Sequence, residues 1–355
     1  MRIAVINSSA TAYNLATAKM VKKFTDEGHE ATFSNRADLF DHQVDKAYLS
    51  AIFTWDLPVL VHDANLLMSR NVPVEVGGPA VTAMPEWVKE RIWFKQLAQV
   101  KVGLDDRFEH IRGDFQATFT SRGCPRACEF CLVNKLEGRK MIEYEDFNVP
   151  VGVNPYICDN NLLSTSWEHQ QLVVERHRSV SNLDINSGFD DRIFIKDPDK
   201  YWNLYRQLKI EAWRFAYDSP EQQEPIAFIT KWLNGKGINY RKIIVFCLAG
   251  GPGMSFGESQ RRLQYLVDIG CSPYPMRYRP LDSLEMNYTP PGWEFKAPPK
   301  LVFGQKITYR DRLDLLFGYY GVPYIWRSCS WSDFLIGRSD EGNISKFELG
   351  ELLCQ

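Results

Sequence analysis

The chain alternates short apolar runs with amphipathic stretches. Residues 2–7, Arg-Ile-Ala-Val-Ile-Asn, form one apolar run that ends in the polar turn Asn7-Ser8-Ser9 and predicts a buried strand. A helical stretch follows from about Leu15 to Glu27 and is closed by Gly28, after which Ala31-Thr32-Phe33 begins a second strand. Ala47–Phe53 predicts a third strand, residues 58–70 a helix, and Val72–Gly77 a fourth strand that runs into Gly78-Pro79. Strands and helices alternating at this spacing predict a parallel, doubly wound sheet.

The same beat continues beyond residue 115. Six strand candidates recur: Phe115–Thr120, Pro155–Cys158, Leu183–Asn186, Ala212–Tyr217, Lys242–Leu248 and Pro273–Tyr278. Helical stretches at 166–178, 198–209, 221–234 and 256–268 fit between most of them. The expected fold is α/β: a doubly wound Rossmann-like domain over 1–85, a connector over 86–113, and a partial (β/α)6 TIM-type barrel over 114–290. An aromatic-rich extension fills 291–355.

Polar and glycine-rich clusters fall just after the barrel strands, where β/α barrels keep their active sites. A cysteine loop follows the first strand and Asp159-Asn160-Asn161 the second. Gly188-Phe189-Asp190-Asp191-Arg192 follows the third, Asp218-Ser219 the fourth and Gly250-Gly251-Pro252-Gly253 the fifth. Period-two spacing also puts Asp184 with Asn186, Arg214 with Asp218, and Arg277 with Arg279 on common strand faces. A barrel lined in this way is a polar cavity that wants a ligand. Asp159 and Asp218 also suit helix N-caps, and glycine pairs such as Gly250-Gly251 are common in loops.

Composition narrows the partners. Of 355 residues 45% are hydrophobic and 24% charged, enough apolar material for more than one core, and the formal charge of −2 disfavours binding nucleic acid by charge alone. Arg261-Arg262 and the Lys/Arg residues of 305–312 are the candidate basic patches. The start lacks the features of a signal peptide and no stretch reaches about 18 apolar residues, so a cytoplasmic location with no membrane partner is expected. In that reducing setting eight cysteines are not a disulfide framework.

Three of them cluster. Thr120-Ser121-Arg122-Gly123-Cys124-Pro125-Arg126-Ala127-Cys128-Glu129-Phe130-Cys131 carries the spacing C-x3-C-x2-C. Three thiolates on one tight loop suit three irons of a cubane and leave the fourth iron open to a small molecule. The alternative is zinc, which wants four ligands, usually as two spaced pairs. No second pair exists here, and the nearest histidine in sequence is His110. A fold-supplied fourth ligand such as Cys158 keeps that alternative open. The isolated Cys329, between Trp326 and Trp331, reads as a small apolar residue.

The cysteine spacing after a first barrel strand, with Phe130 before the third cysteine, resembles the radical S-adenosylmethionine (radical SAM) superfamily over about residues 115–285. The resemblance implies a [4Fe–4S] cluster on Cys124, Cys128 and Cys131. It implies SAM chelating the open iron by its amino and carboxylate groups, and reductive cleavage to a 5′-deoxyadenosyl radical that abstracts hydrogen from a substrate. It also implies an electron donor such as a flavodoxin or ferredoxin. Phe130 would lie near the adenine. Asp159, Asn160 and Asn161 stand where the family binds the cofactor's ammonium, usually with Gly-Gly-Glu. Gly250 and Gly251 resemble the fifth-strand glycine motif, and Asn186, Asp218 and Arg277 complete the candidate cofactor residues. Asp184-Ile-Asn-Ser-Gly-Phe-Asp-Asp-Arg192 is similar to an Asp-Phe-Asn-Gln-Gly-Leu-Asp-Ala-Arg block of an uncharacterised subgroup.

The N-terminal domain resembles the cobalamin-binding domain of one large subclass, with Gly77-Gly78-Pro79 at its glycine-rich loop. The first turn, Asn7 to Asn14, has no Asp-x-His-x-x-Gly, so a cobalt-ligating histidine from it is impossible. Cobalamin is therefore an optional cofactor, and a cobalamin-dependent methylase the second enzyme reading. A non-catalytic zinc or iron–sulfur binding protein is the reading from another class. The substrate is open between a peptide, a nucleotide and a small metabolite.

Overall fold

The computed structural model describes residues 1–37, 44–297 and 309–354. Contacts divide it into one unit of Met1–Ser187, Trp202–Ile210 and Pro280–Met286, and a second of Gly188–Tyr201, Glu211–Arg279 and Asn287–Gln355. The chain is a mixed α/β protein with mostly parallel sheets.

In the first unit, β1 (Arg2–Asn7) is buried on both faces, as its unbroken apolar run requires. Ala4 and Ile6 join one core, Ile3 and Val5 the other. Helix α1 (Leu15–Asp26), capped by the Asn14 side chain, covers the second core through Met20 and Phe24. Strands β2 (Glu30–Ser34) and β3 (Lys46–Ser50) flank β1 in parallel. Helix α2 (Leu57–Met68) packs Leu57, Leu60, Ala64 and Leu67 on the first core, and β4 (Val74–Gly77) pairs with β3. Short helices α3 (Pro79–Ala83) and α4 (Pro85–Arg91) follow, then β5 (Ala98–Val100), which pairs with β4.

The sheet order is β2-β1-β3-β4-β5, a doubly wound order with its switch point between β1 and β3. The sheet therefore reaches past the expected boundary at residue 85. Three residues, Ala-Gln-Val, are too short to show periodicity, so β5 was hidden in the expected connector. Helix α5 (Asp106–Glu109) ends that segment and sends Phe108 into the second core.

A second parallel sheet of the same unit is built from β6 (Ala117–Thr118), β9 (Tyr156–Ile157), β10 (Ser181–Ile185) and β11 (Lys209–Ile210), in the order β11-β10-β9-β6. Between β6 and β9 lie β7 (Ser121–Arg122), α6 (Val133–Leu136) and β8 (Ile142–Glu143), and α7 (Trp167–His177) connects β9 to β10.

The second unit opens with α8 (Asp191–Phe194) and the start of α9 (Pro198–Tyr205). Its parallel sheet has β12 (Trp213–Ala216), β13 (Ile243–Ala249) and β14 (Ser272–Arg277), with α10 (Gln223–Gly235) and α11 (Phe256–Asp268) as crossovers. All six expected barrel strands are present, but their hydrogen-bonded ladders form two sheets. The residues after 309 are helical: α12 (Arg312–Tyr320), α13 (Pro323–Ser328), α14 (Trp331–Asp340) and α15 (Lys346–Leu353). Their aromatic side chains are core: Tyr320 is fully buried and its ring stacks on Trp331 at 5.8 Å.

Gly78 carries a φ of 100°, and a Cβ there would come within 2.6 Å of the Ala51 carbonyl oxygen at the end of β3. Gly78→Ala is expected to destabilise the chain by about 2 kcal/mol or more. A urea unfolding midpoint equal to that of the unmodified protein would contradict this.

Candidate functional site

The cysteine loop is held at both of its ends. Ser121 and Arg122 of β7 pair antiparallel with Glu143 and Ile142 of β8, so the intervening residues form one closed excursion. Gly123 sits at φ 85°, where any Cβ would overlap the Lys140 carbonyl oxygen. The Cys124 amide donates to the Gly138 carbonyl at 3.3 Å, and the Cys131 amide to the Cys128 carbonyl at 3.1 Å.

Arg122, immediately before Gly123, is 6% exposed and lies between two carboxylates. It forms a two-pronged pair with Glu109 (2.9 Å) and a second pair with Glu137 (2.9 Å), with Phe119 stacked against its guanidinium. Tyr144 donates its hydroxyl to Glu109 at 3.1 Å. The other oxygen of Glu137 accepts from the Gly123 amide (2.8 Å) and from Asn160 Nδ2 (2.6 Å). One buried cation thus ties α5, the cysteine loop and the Asp-Asn-Asn loop together.

Asp159 faces the other way. Its carboxylate accepts from the Thr120 amide at 2.6 Å, the Thr120 hydroxyl and the Ser121 hydroxyl at 2.8 Å. Burial pushes its acidity down, and these hydrogen bonds oppose that shift. Both oxygens are therefore engaged in fixing the strand end before the cysteines. Asp159 is not a helix cap, since Ser166 caps α7. Thr120 also meets His169 Nε2 at 3.0 Å, and burial holds that imidazole below its ordinary pKa. Asn161 donates Nδ2 toward Cys124 Sγ at 3.8 Å.

The three thiols share one environment. Burial pushes the Cys131 thiol up, and the nearby Cys128 and Cys124 add to that shift, opposed by the Val133 amide. All three are partly exposed, and Phe130 between them is half-buried. Among the described residues no three His, Cys, Asp or Glu side chains converge where a single metal ion would sit. Thiols are the donors an iron–sulfur cluster takes, and here three of them lie on one loop braced at both ends. Cys158 is raised to about 12 by burial, with Asp159 adding to the shift, and behaves as a thiol.

A cavity of about 520 Å³ lies beside this loop within the first unit. It opens on the carboxyl ends of β1, β3 and β4, at residues 12–16, 49–53 and 77–79, and on Cys158, Asn160 and Asn186 after β9 and β10. Ligands of doubly wound sheets bind at carboxyl strand ends by the switch point. The Asn186 amide donates to Ile157 and its residue lines the cavity; Asn160 lines it too. No histidine among the described residues lines it.

Asp218, Gly250, Gly251 and Arg277 belong to the second unit. Arg277 is enclosed by Asp311 (2.8 Å), Asp314 (2.6 Å) and the Tyr288 carbonyl (2.7 Å). The anionic company it needs is supplied by Asp311 and Asp314 at the start of α12. Gly250 packs against Pro290. Asp218 accepts from the Leu248 amide at 3.2 Å, and burial raises its carboxyl to about 6. It caps no helix, since Ser219 and Gln222 form the capping box that follows. Of the expected basic runs, Arg262 pairs with Glu258, Arg310 with Asp314, and Arg312 with Glu348 and Glu351. Arg261 is exposed, and residues 305–308 lie outside the described residues. A groove of about 680 Å³ in this unit sits at the amino ends of β13 and β14, the end of β/α folds that serves stability.

No protein-family model matches the chain, and no curated protein matches it.

Sequence reasoning missed Arg122, Glu109 and Glu137, although Arg122 directly precedes Gly123-Cys124. The long spacing between the partners hid the cluster. It also missed Lys19, which sits in the charged series Lys19, Lys22, Lys23 but is buried with Met20 and Phe24.

Arg122→Met leaves two buried carboxylates without their cation and is expected to cost about 3–5 kcal/mol. Adding Glu109→Gln and Glu137→Gln should recover part of that loss in urea unfolding; no recovery would contradict the ion-pair account. Asp218 titrates near 6 folded and near 3.8 unfolded, so the folded chain takes up a proton as pH falls from 8 to 5 and this group's contribution to stability rises. Asp218→Asn should therefore stabilise at pH 8 by up to about 3 kcal/mol, with the gain shrinking at pH 5. A gain independent of pH would show that the carboxyl is not shifted.

Proposed function

We propose that this chain is a radical SAM enzyme whose Cys124, Cys128 and Cys131 hold a [4Fe–4S] cluster. The observation that carries the reading is that Cys124, Cys128 and Cys131 lie on one loop, closed by β7 and β8 and locked by Arg122 and Glu137. When bound, the cluster supplies the electron for reductive cleavage of SAM at its open iron, the source of a hydrogen-abstracting radical.

The chain's own residues position and enclose. Arg122, through Glu137, sets the loop against Asn160, and Asp159 clamps Thr120 and Ser121 ahead of it. Asn161 donates toward Cys124 Sγ, the kind of contact that tunes a thiolate's electron density. Asn160 and Asn186 give the adjoining cavity hydrogen-bonding groups for the cofactor, and Phe130 supplies a ring beside the third cysteine.

The finer fold reading, a Rossmann-like domain followed by a partial (β/α)6 barrel, belongs to this proposal and is supported by the parallel, helix-separated strands. So do a cytoplasmic location, where thiols stay reduced, and a flavodoxin or ferredoxin as electron donor. No helix among the described residues is long and apolar enough to cross a membrane.

Anaerobic reconstitution with iron and sulfide, followed by reductant and SAM, should yield 5′-deoxyadenosine by mass spectrometry. Cys128→Ala should abolish it. Undiminished product from that variant would overturn the assignment of the cluster ligands.

A further inference from the structure

The groove of about 680 Å³ in the second unit carries charge of one sign. Arg241 and Arg327 line it, and no described aspartate or glutamate does. Neither guanidinium forms an ion pair with a described residue. Both donate instead to one oxygen, the Tyr240 hydroxyl, Arg241 through Nε at 3.0 Å and Arg327 through a terminal nitrogen. Two guanidiniums brought this close repel each other, and a phenol supplies no countercharge. Arg241, joined by Arg327, accordingly holds that phenol below its ordinary pKa, against desolvation. The fold fixes the meeting point: the Tyr240 carbonyl accepts from the Ser272 hydroxyl at 2.9 Å, and the Tyr240 ring meets Trp326 of α13 edge-on at 5.7 Å. Tyr324, three residues before Arg327 on α13, shares that helix face and is 80% exposed along the groove. Tyr274 of β14 lines it too and is 48% exposed.

Each arginine presents five N–H donors, spends one on Tyr240 and keeps the other four for a ligand. Two such forks outnumber what one carboxylate accepts and suit the several oxygens of a phosphate. Exposed rings beside paired guanidiniums form a surface on which bases stack while their phosphates are held. We propose that this groove binds a nucleotide, its phosphate on Arg241 and Arg327 and its base stacked on Tyr324. Phosphate and base are the same chemistry whether the nucleotide is free or part of a single strand. The formal charge of −2 for the whole chain does not oppose this, because the field at a site is set by the charges that line it. The site uses no residue of the cysteine loop and does not rest on the function proposed above.

The test is isothermal titration of the full chain, without a cluster, with thymidine monophosphate, thymidine, inorganic phosphate, a short oligothymidylate and an oligoglutamate of the same length. Thymine keeps any adenine-binding site out of the measurement. The monophosphate should saturate, about tenfold or more tighter than thymidine or inorganic phosphate. A strand that binds more tightly than the monophosphate identifies single-stranded nucleic acid as the source, and one that binds no more tightly identifies the free nucleotide. Arg241→Gln and Arg327→Gln should each weaken the monophosphate about tenfold and leave thymidine unchanged. Tyr324→Ala should weaken the monophosphate and thymidine alike, about tenfold, and leave inorganic phosphate unchanged. All three side chains are exposed, so their replacement leaves the core intact. No saturable binding of the monophosphate, inorganic phosphate or oligoglutamate binding as tightly as it does, or undiminished binding by the variants would each overturn the proposal. Since no cluster is present, failure here leaves the radical reading standing, and failure of that reading leaves this site standing.

Discussion

The buried guanidinium of Arg122 is the constraint on which the site depends. Its two carboxylate partners come from α5 and from the residue after α6, so the pair joins the segment that completes the N-terminal sheet to the loop that carries the cysteines. Glu137 then passes the constraint to Gly123 and Asn160. Charges taken out of water are costly unless all are paired, and here each partner also meets a second donor. The arrangement adds little net stability over an apolar equivalent. What it gives is register: the loop has one position relative to β9, because any other leaves a buried charge alone.

Around that lock the fold places strand ends together. The doubly wound sheet opens its switch point at β1 and β3, and β9 and β10 end in Asn160 and Asn186, all bordering the same cavity. Asp159 and Arg122 divide the work: the first holds the strand that enters the loop, the second holds the loop itself. Asn160, Asn186, Lys19 and Lys101 are among the polar groups that line the cavity, and the three thiols are kept near one another on a short excursion.

Much of this was legible in the sequence because burial on both sides leaves an unbroken apolar run, as in β1, and because α11 and α1 begin with capping residues and hold a clear stripe. The cysteine spacing was equally plain, since chelation by one loop is a local property. Strand β5 and the split of the barrel strands into two ladders were not legible, because pairing is a tertiary fact that three polar-interrupted residues do not encode. The same reason hid the partners of Asp159 and Arg277. The sequence shows that a charge needs company, but not whether a cofactor, a hydroxyl pair or the aspartates of α12 will provide it. Lys19 was misleading in a specific way: a lysine among lysines on a helix reads as solvated, and only packing reveals that one of them points inward.

The most direct measurement on the central claim is electron paramagnetic resonance of the anaerobically reconstituted, reduced chain, recorded before and after adding SAM. The account predicts a [4Fe–4S] signal of about one cluster per chain whose shape changes when SAM is added, because the loop leaves one iron open to it. A chain that instead retains one tightly bound zinc and shows no cubane signal, or a cubane signal indifferent to SAM, would contradict it.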